Sequence, residues 1–267
     1  MPAIITLTTD FGQGSPYVAQ MKGVILSLNP RATIVDITHA VAPQDVQGAT
    51  YVLDDTYRWF PDDSIHVTVV DPGVGTERDI IYARIGTHHF IAPNNGLLTR
   101  VSRRTAPEPL LQIAHPNYWL PRVSSTFHGR DIMAPAAAHL SLGLEATKLG
   151  PPLDGLVTLD LPQARLEAGE IHGVVMTVDS FGNLITNIER GHLAAASLNG
   201  NTEIRCGNHC VCCIVGTYGE GVSGEPLALI GSSGRLEIAV ANGHAATQLR
   251  INVGTEVIVG HHEARRD

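Results

Sequence analysis

The sequence predicts an N-terminal three-layer α/β domain with a mostly parallel sheet, followed by a smaller antiparallel β-barrel domain. In the first half, short apolar runs alternate with segments of helical periodicity, an order typical of parallel strands joined by right-handed crossovers. After about Gly155 the chain changes to short β segments separated by turn residues, which is typical of an antiparallel barrel or sandwich. We therefore expect domains at 1–155 and 171–267, joined by a linker at 156–170.

The first domain begins with a strand and a well-marked helix. Ser15 is a suitable N-cap, and Pro16 suits the first helical position. Asn29-Pro30 ends this helix, and the next three elements complete a βαβαβ unit. The expected elements, in order, are strand 4–9, helix 16–28, strand 33–37, a helix from about Pro43, strands 65–70, 79–85 and 88–92, and a buried Ala-rich helix from Asp131 to about Ser141.

The second domain is expected to contain strands and no long helix. Gly, Asn and Ser turns punctuate its apolar segments at short, regular intervals. The expected strands are 171–178, 184–188, 202–206, 210–216, 225–231, 235–241, 247–252 and 255–260.

Composition excludes several classes of protein. With 43% hydrophobic residues, the 267-residue chain can bury a sizeable core. Its net charge of -8 argues against nucleic-acid binding, which usually needs a basic patch. No apolar stretch approaches the roughly 20 residues of a membrane span. The N-terminus, Met1-Pro2-Ala3-Ile4, leads straight into a strand, and this predicts a cytoplasmic protein.

All four cysteines are clustered near residue 210. Cys206, Cys210, Cys212 and Cys213 surround His209, and thiolates with imidazole are zinc ligands. Their spacing does not repeat a Cys-x-x-Cys pair, and the segment has the pattern of a strand. We favour buried, reduced strand cysteines over a zinc site, because free cysteine packs as a small hydrophobe.

Carboxylates stand where two apolar strands end. Asp10 follows strand 4–9 and Asp71 follows strand 65–70, each with a Gly-containing loop directly after it. Ligands of open α/β sheets bind beyond the carboxyl ends of the strands. Two acids at that edge predict a small ligand with hydroxyls or positive charge. The glycine motifs for dinucleotides and phosphates and the hydrolase nucleophile elbow are absent from the sequence, which disfavours those activities.

Each candidate residue also has a purely structural interpretation. Asp10 can belong to a turn or a helix cap, and Asp71 can simply form a salt bridge with Arg78. The functional alternative is that Arg78 folds back over the loop and holds Asp71 ionised and oriented. His128 precedes the buried helix, where it either packs or projects toward the strand ends.

Taken together, five segments resemble the S-adenosylmethionine hydroxide adenosyltransferases, relatives of the fluorinating and chlorinating enzymes. The order and spacing of these segments carry the resemblance over nearly the whole chain. They are Thr8-Thr9-Asp10-Phe11-Gly12, the loop 71–79, Ser124-Ser125-Thr126-Phe127-His128-Gly129-Arg130-Asp131, the turn 179–187 and the hairpin 231–240.

The resemblance implies hydrolysis of S-adenosylmethionine to adenosine and methionine by water attacking the 5′ carbon. It implies a catalytic Asp–Arg–His set, substrate contacts around it, and a homotrimer whose sites lie between subunits. S-adenosylmethionine is the substrate, and no metal or other cofactor is implied. The catalytic residues are Asp71, Arg78 and His128; the substrate-binding residues are Asp10, Asp71, Phe181, Asn183, Ser232, Glu237 and the backbone near Val240.

Two departures from the family pattern bear on the activity. Ser15 stands where relatives often have an acid, so one polar contact to the methionine part of the substrate is expected to differ. Fluorinase-like enzymes carry Tyr in place of Asp71 and Tyr-Ser in place of His128-Gly129. An anionic Asp71 repels halide, so water is the favoured nucleophile. The alternatives are a non-catalytic adenosine or S-adenosylmethionine binding or sensing protein, and a halide-using, chlorinase-like transferase.

Overall fold

The computed structural model describes residues 3–196, 198 and 202–261. It divides into two compact units, Met1–Asp160 and Leu161–Asp267. Among the described residues, no helix is both long and apolar enough to cross a membrane.

The N-terminal unit contains a sheet flanked by helices. Its strands are β1 Ile4–Thr9, β2 Thr33–Thr38, β3 Ile65–Val69, β4 Ile80–Ile85, β5 His88–Pro93 and β6 Leu110–Gln112. Its α-helices are α1 Pro16–Leu28, α2 Val46–Thr56, α3 Thr99–Arg104 and α4 Ala134–Ser141. Short 3₁₀ turns lie at Tyr57–Trp59, Pro116–Tyr118 and Ala146–Leu149, and a π-helical turn lies at Gly129–Met133.

The sheet has the strand order β2-β1-β3-β5-β4-β6. The pairs β1–β2, β1–β3 and β3–β5 are parallel, and β4 pairs antiparallel with both β5 and β6. The expected βαβαβ unit with a mostly parallel sheet is confirmed. Since β1 and β3 are parallel neighbours, their carboxyl ends bring Asp10 and Asp71 to the same edge.

Two apolar cores show the three layers. One core joins the sheet to α1 and α4 through residues such as Met21, Ile25 and Ala137. The other joins the sheet to α2 and α3 through residues such as Leu53 and Val101. Because buried strand residues such as Val67 and Ile81 belong to different cores, both faces of the sheet are covered.

The helix that follows His128 begins with a wide π turn, whereas the sequence predicted a helix from Asp131. Pro135 has no N–H, and its ring crowds the carbonyl four residues earlier, which is that of Asp131. The Asp131 carbonyl instead accepts the backbone N–H of Leu120 at 2.8 Å. The buried Asp131 side chain accepts the N–H of Ser124 at 2.8 Å, so it ties the segment before His128 to the helix.

The C-terminal unit is a barrel-like β structure. Its strands are β7 Arg165–Glu167, β8 Glu170–Val178, β9 Leu184–Glu189, β10 Thr202–Cys206, β11 His209–Val211, β12 Ile214–Val215, β13 Pro226–Ile230, β14 Arg235–Val240 and β15 Glu256–His261. Its short helices are α5 Arg190–Ala195 and α6 Ala245–Leu249, with a 3₁₀ turn at Tyr218–Glu220. The strand order is β11-β10-β15-β8-β9-β14-β13-β12, with β7 on β8.

Strand β8 runs through both parts of this sheet. Its first half pairs with β15 and its second half with β9, with a bulge near Met176. The described pairs are antiparallel except β12–β13, which is parallel. Strand β7 lies inside the stretch 156–170, where the sequence suggested a linker.

Two strand predictions in this unit were wrong. The segment 247–252 is not a strand, because α6 occupies Ala245–Leu249. The His244 imidazole accepts the N–H of Thr247 at 3.3 Å, and Arg250 ends the helix in a left-handed conformation. The segment 210–216 is two short strands, because β11 pairs with β10 and β12 with β13.

The prediction of buried cysteines was wrong for three of the four. Cys206 is buried on β10, whereas Cys210, Cys212 and Cys213 are exposed thiols. Cys210 lies on β11 with its side chain away from the core that buries Val211, and Cys212 and Cys213 lie between β11 and β12, outside the strands. In the described part of the chain, no group of three or more His, Cys, Asp or Glu residues is placed to hold a metal ion.

Candidate active site

Asp71, Arg78 and His128 form one hydrogen-bonded set. Arg78 Nε donates to Asp71 Oδ1 at 2.7 Å, and Arg78 Nη2 donates to Asp71 Oδ2. Arg78 Nη2 also lies 3.0 Å from His128 Nδ1. The side chains of Asp71 and Arg78 are 5% and 10% exposed, so this two-point ion pair is shielded from water. Arg78 folds back over the loop and forms with Asp71 the ion pair that both interpretations expect, so the catalytic role of the pair stays a prediction.

The contact with Arg78 fixes the tautomer of His128. A guanidinium has only donors, so His128 Nδ1 must accept and the proton of the neutral ring lies on Nε2. Burial lowers the pKa of His128 below its ordinary value of 6.5, and the positive charge of Arg78 lowers it further, against opposing effects of Asp71 and Asp131. His128 is therefore neutral near pH 7 and presents an N–H donor.

The loop that carries the ion pair is held by its own backbone. The N–H of Val74 donates to the Asp71 carbonyl at 3.2 Å, and the Thr76 hydroxyl donates to the Gly73 carbonyl at 2.7 Å. Gly75 adopts a φ of +80°, and a Cβ there would lie only 2.2 Å from the backbone oxygen of Ser125. This close approach brings the Asp71 loop against the segment that leads into His128.

Replacing Gly75 by Ala is expected to disturb both loops at once. The left-handed backbone and the clash with Ser125 oxygen together should cost about 1–3 kcal/mol of unfolding free energy. Turnover should fall as well, because the clash pushes His128 away from Arg78. Gly73→Ala is the matched control, since its Cβ would meet only side chains, the nearest at 3.5 Å. Equal effects of the two substitutions on melting temperature and turnover would contradict this explanation.

Asp10 is held at the end of β1 by an unusual backbone. Its Oδ2 accepts the N–H of Gln44 at 2.8 Å, and Gln44 has a φ of +65°. That left-handed residue is also why α2 starts at Val46 and not near Pro43 as predicted. Asp45 then caps the helix by accepting the N–H of Gly48 at 2.8 Å.

A chain of polar side chains lies behind Asp10. Lys22 Nζ contacts Asp36 Oδ2 at 2.5 Å, Asp36 Oδ1 lies 3.1 Å from His39 Nε2, and His39 Nδ1 lies 2.9 Å from Thr9 Oγ1. The Thr9 hydroxyl in turn accepts the N–H of Phe11 at 3.2 Å. These contacts fix the backbone on both sides of Asp10.

The predicted residues of the N-terminal unit converge on one cavity of about 280 Å³. Asp10, Asp71 and His128 line it, and Arg78 reaches it through its contacts with Asp71 and His128. The other lining residues are Phe11, Gln44, Val69, Pro72, Val74, Thr126, Phe127 and Gly129. Two carboxylates and an N–H donor in a small cavity suit a ligand with hydroxyls and a cationic group.

The predicted residues of the C-terminal unit converge on a second cavity of about 880 Å³. All five of them line it, namely Phe181, Asn183, Ser232, Glu237 and Val240. Asp179 organises the turn beneath them, because its carboxylate accepts the N–H groups of Phe181 at 2.9 Å and Asn183 at 2.8 Å, and the Asn183 amide at 2.9 Å.

A buried acid in this second cavity is paired with a phenol. Tyr218 donates to Glu237 Oε2 at 2.6 Å, and Glu237 is only 6% exposed. Burial raises the pKa of Tyr218 well above its usual range, and the Glu237 carboxylate raises it further. Tyr218 therefore keeps its proton, and Glu237 brings negative charge to the cavity wall.

Several lining residues were missed from the sequence. Gln44 acts through its backbone N–H, so its residue type gave no signal. Tyr218, Asn242 and His244 lie in turns of the second unit and line its cavity. A Tyr beside Gly219-Glu220-Gly221 was the available hint for Tyr218. Ser15, noted for its departure from the family pattern, caps α1 by accepting the N–H of Tyr17 at 3.3 Å.

Comparison with known proteins gives consistent matches along the chain. The family model of the SAM hydroxide adenosyltransferase N-terminal domain matches residues 5–150, and that of the C-terminal domain matches residues 173–258. A Thermus thermophilus protein named (R)-S-adenosyl-L-methionine hydrolase is 39% identical over 258 residues, 93% of this chain and 96% of the relative. A Fluorinase of an Actinoplanes species is 31% identical over 97% of this chain and 99% of its own length.

A solved structure shows the same fold. The crystal structure of an uncharacterized conserved protein from Thermotoga maritima superposes with a TM-score of 0.91 at 35% identity, covering 96% of this chain and 100% of that one. The chain belongs to the SAM hydroxide adenosyltransferase family.

Proposed function

We propose that this protein hydrolyses S-adenosylmethionine to adenosine and methionine, by attack of water on the 5′ carbon. The observation that carries the proposal is the Asp71–Arg78–His128 set, joined by hydrogen bonds beside the cavity that Asp10 also lines. The name of the Thermus thermophilus relative supports the same reaction. The proposed reaction uses only substrate and water.

The chemistry needs a positioned and activated water more than a general acid. Methionine leaves from a sulfonium as a neutral thioether, so its departure requires no proton. Asp71 accepts a hydrogen bond from the attacking water and takes its proton as the new carbon–oxygen bond forms. The two hydrogen bonds from Arg78 orient the Asp71 carboxylate. The N–H of neutral His128 stabilises negative charge on the water oxygen. The proton is later released to solvent.

Arg78 has a further donor at the site. Its Nη1 is buried and has no hydrogen-bond partner among the described residues. Because an unpaired buried N–H is costly, this atom favours binding of a ligand oxygen. We assign it to the attacking water or to the hydroxide-like transition state.

In this proposal the remaining predicted residues each bind a different part of the substrate. Asp10 binds the ribose hydroxyls through the carboxylate oxygen that Gln44 does not occupy. The cavity with Phe181, Asn183, Ser232, Glu237 and the backbone near Val240 receives adenine and methionine. Its acids suit the cationic sulfonium and amino groups.

The proposed assembly is a cytoplasmic homotrimer in which residues 1–155 carry the catalytic set and residues 171–267 complete the site of a neighbouring subunit. Phe181 supports this, because it lines the cavity and its ring is 75% exposed, which leaves it available to contact a further surface. The three exposed thiols suit a reducing compartment.

The test is incubation of S-adenosylmethionine with the full chain in oxygen-18 water, followed by chromatography and mass spectrometry. Adenosine labelled at its 5′ oxygen, together with methionine, is the expected result. Intact S-adenosylmethionine bound to the protein would instead support a sensing protein. Halide-dependent 5′-halo-adenosine would support the transferase alternative.

Turnover is expected to fall on the acid side only below pH 6.5. Burial and Arg78 lower the pKa of His128, so the neutral, active ring persists as pH falls and is lost only when pH passes through that lowered pKa. A pH profile of kcat and kcat/KM measures this limb. His128→Gln is the control, because it removes the titrating group. An acid limb centred above 6.5 in the wild type would contradict the assignment.

A further inference from the structure

His39 is a buried residue that directly follows β2, next to the end of β1 where Asp10 lies. It is not a lining residue of the cavity that contains Asp10, so any effect on a ligand there passes through other residues. The parallel pairing of β1 with β2 skips Ile37 near the end of both strands. An extra residue of this kind re-aims the side chains that follow it, and here it is followed by the contact of His39 with Thr9.

His39 holds the chain on both sides of Asp10. Its backbone carbonyl accepts the N–H of Gly12 at 2.8 Å, and its Nδ1 lies 2.9 Å from the hydroxyl oxygen of Thr9. The same Thr9 oxygen accepts the N–H of Phe11 at 3.2 Å. The backbone from residue 9 to residue 12 is therefore tied to a single residue of the neighbouring strand end.

The hydroxyl proton of Thr9 determines how the imidazole of His39 is used. Thr9 is fully buried and its oxygen already accepts the N–H of Phe11, so its proton needs an acceptor inside the protein. His39 Nδ1 is within reach, and a neutral ring that accepts at Nδ1 carries its proton on Nε2. Nε2 lies 3.1 Å from Asp36 Oδ1, in a contact without the alignment of a hydrogen bond. The bond between Thr9 and Nδ1 is therefore the contact that connects the ring to the site.

The direction of the Asp10 carboxylate depends on this backbone. Its Oδ2 accepts the N–H of Gln44 at 2.8 Å, which leaves Oδ1 for a ligand. We propose that His39 is a positioning residue for Asp10, because its Nδ1 and its carbonyl together keep the free carboxylate oxygen directed at the two adjacent hydroxyls of a ribose. This positioning role rests on the proposed binding of ribose by Asp10.

The experiment measures the affinities of the full chain for adenosine and for 2′,3′-dideoxyadenosine by calorimetry. The ratio of the two affinities isolates the contribution of the ribose hydroxyls. Thr9→Val and His39→Gln should each lower this ratio by about 10-fold, because both remove the bond between Thr9 and Nδ1 and hydrogen bonds to a charged group are strong. His39→Asn should keep most of the ratio, since its amide oxygen can accept the Thr9 proton in place of Nδ1.

Thr8→Val is the matched control, because the neighbouring Thr8 hydroxyl is equally buried and has no hydrogen-bond partner among the described residues. It should leave the ratio unchanged. If Thr9→Val and His39→Gln lowered the melting temperature or weakened both nucleosides equally, with an unchanged ratio, the positioning role would be overturned and His39 would be structural only. Equal losses in His39→Asn and His39→Gln would also overturn it. A wild-type ratio near one would instead remove the ribose role of Asp10 together with the role of His39, whereas hydrolysis in oxygen-18 water tests the proposed reaction independently.

Discussion

Replacing Asp71 by Asn is expected to lower kcat for S-adenosylmethionine hydrolysis by about 10²–10⁴-fold, with a much smaller change in substrate affinity. An amide cannot take the proton of the attacking water. It also sets an NH₂ group against a donor of Arg78, because Arg78 contacts both carboxylate oxygens. Steady-state kinetics and calorimetric binding of S-adenosylmethionine separate the two effects.

The matched control is the other carboxylate of the same cavity. Asp10→Asn keeps one acceptor for the Gln44 N–H and leaves the Asp71 set intact, so it should mainly weaken adenosine binding. If Asp71→Asn lowered kcat and the affinity for S-adenosylmethionine to a similar extent, the catalytic role of Asp71 would be contradicted. Unchanged adenosine affinity in Asp10→Asn would remove the ribose role of Asp10.

The family resemblance named the proposed catalytic set, and part of its geometry follows from strand ends and a short turn. A buried parallel strand fixes where Asp71 emerges, and the Gly-containing loop that follows brings Arg78 back to it. The parallel pairing of β1 and β3 places Asp10 at the same edge. The position of His128 was less determined, because it depends on how the segment 124–131 packs beside Gly75.

The features that were missed depend on the backbone or on tertiary contacts. The residue type at position 44 did not indicate that its backbone is left-handed. The N–H of Gln44 donates a hydrogen bond to the Asp10 carboxylate, and this contact also does not depend on the side chain of Gln44. The helix α6 was predicted as a strand because the apolar pattern of 247–252 is too short to show its period. The cysteines were predicted to be buried because free cysteine usually packs as a small hydrophobe. Only the fold shows that Cys210 faces away from the core that buries Val211, and that Cys212 and Cys213 lie outside the strands.

Replacing Arg78 by Met is expected to affect both stability and turnover. The substitution leaves the Asp71 carboxylate, 5% exposed, without its partner, and breaking a buried ion pair in this way typically costs about 3–5 kcal/mol. Turnover should fall at least as far as in Asp71→Asn. Without Arg78 the Asp71 carboxylate is no longer oriented to position the attacking water, and His128 Nδ1 loses the hydrogen bond from Arg78 Nη2.

Fluorescence-detected denaturation is well suited to this measurement. The two tryptophans of the chain, Trp59 and Trp119, both lie in the unit Met1–Asp160, so their signal follows unfolding of the part that contains Arg78. Gly73→Ala, in the same loop but with an ordinary side-chain contact, serves as the reference substitution.

The double variant Asp71→Asn/Arg78→Met separates charge from catalysis. The double variant has a neutral amide at position 71, so no unpaired carboxylate is buried there. It should therefore recover much of the stability lost in Arg78→Met, and the double-mutant cycle should give a favourable coupling free energy. Turnover should not recover, since neither the base nor its guanidinium is present. Additive stability losses would show that the two side chains are not energetically coupled. Recovered turnover would show that catalysis does not pass through this pair, and the proposed mechanism would then have to be rebuilt around His128 alone.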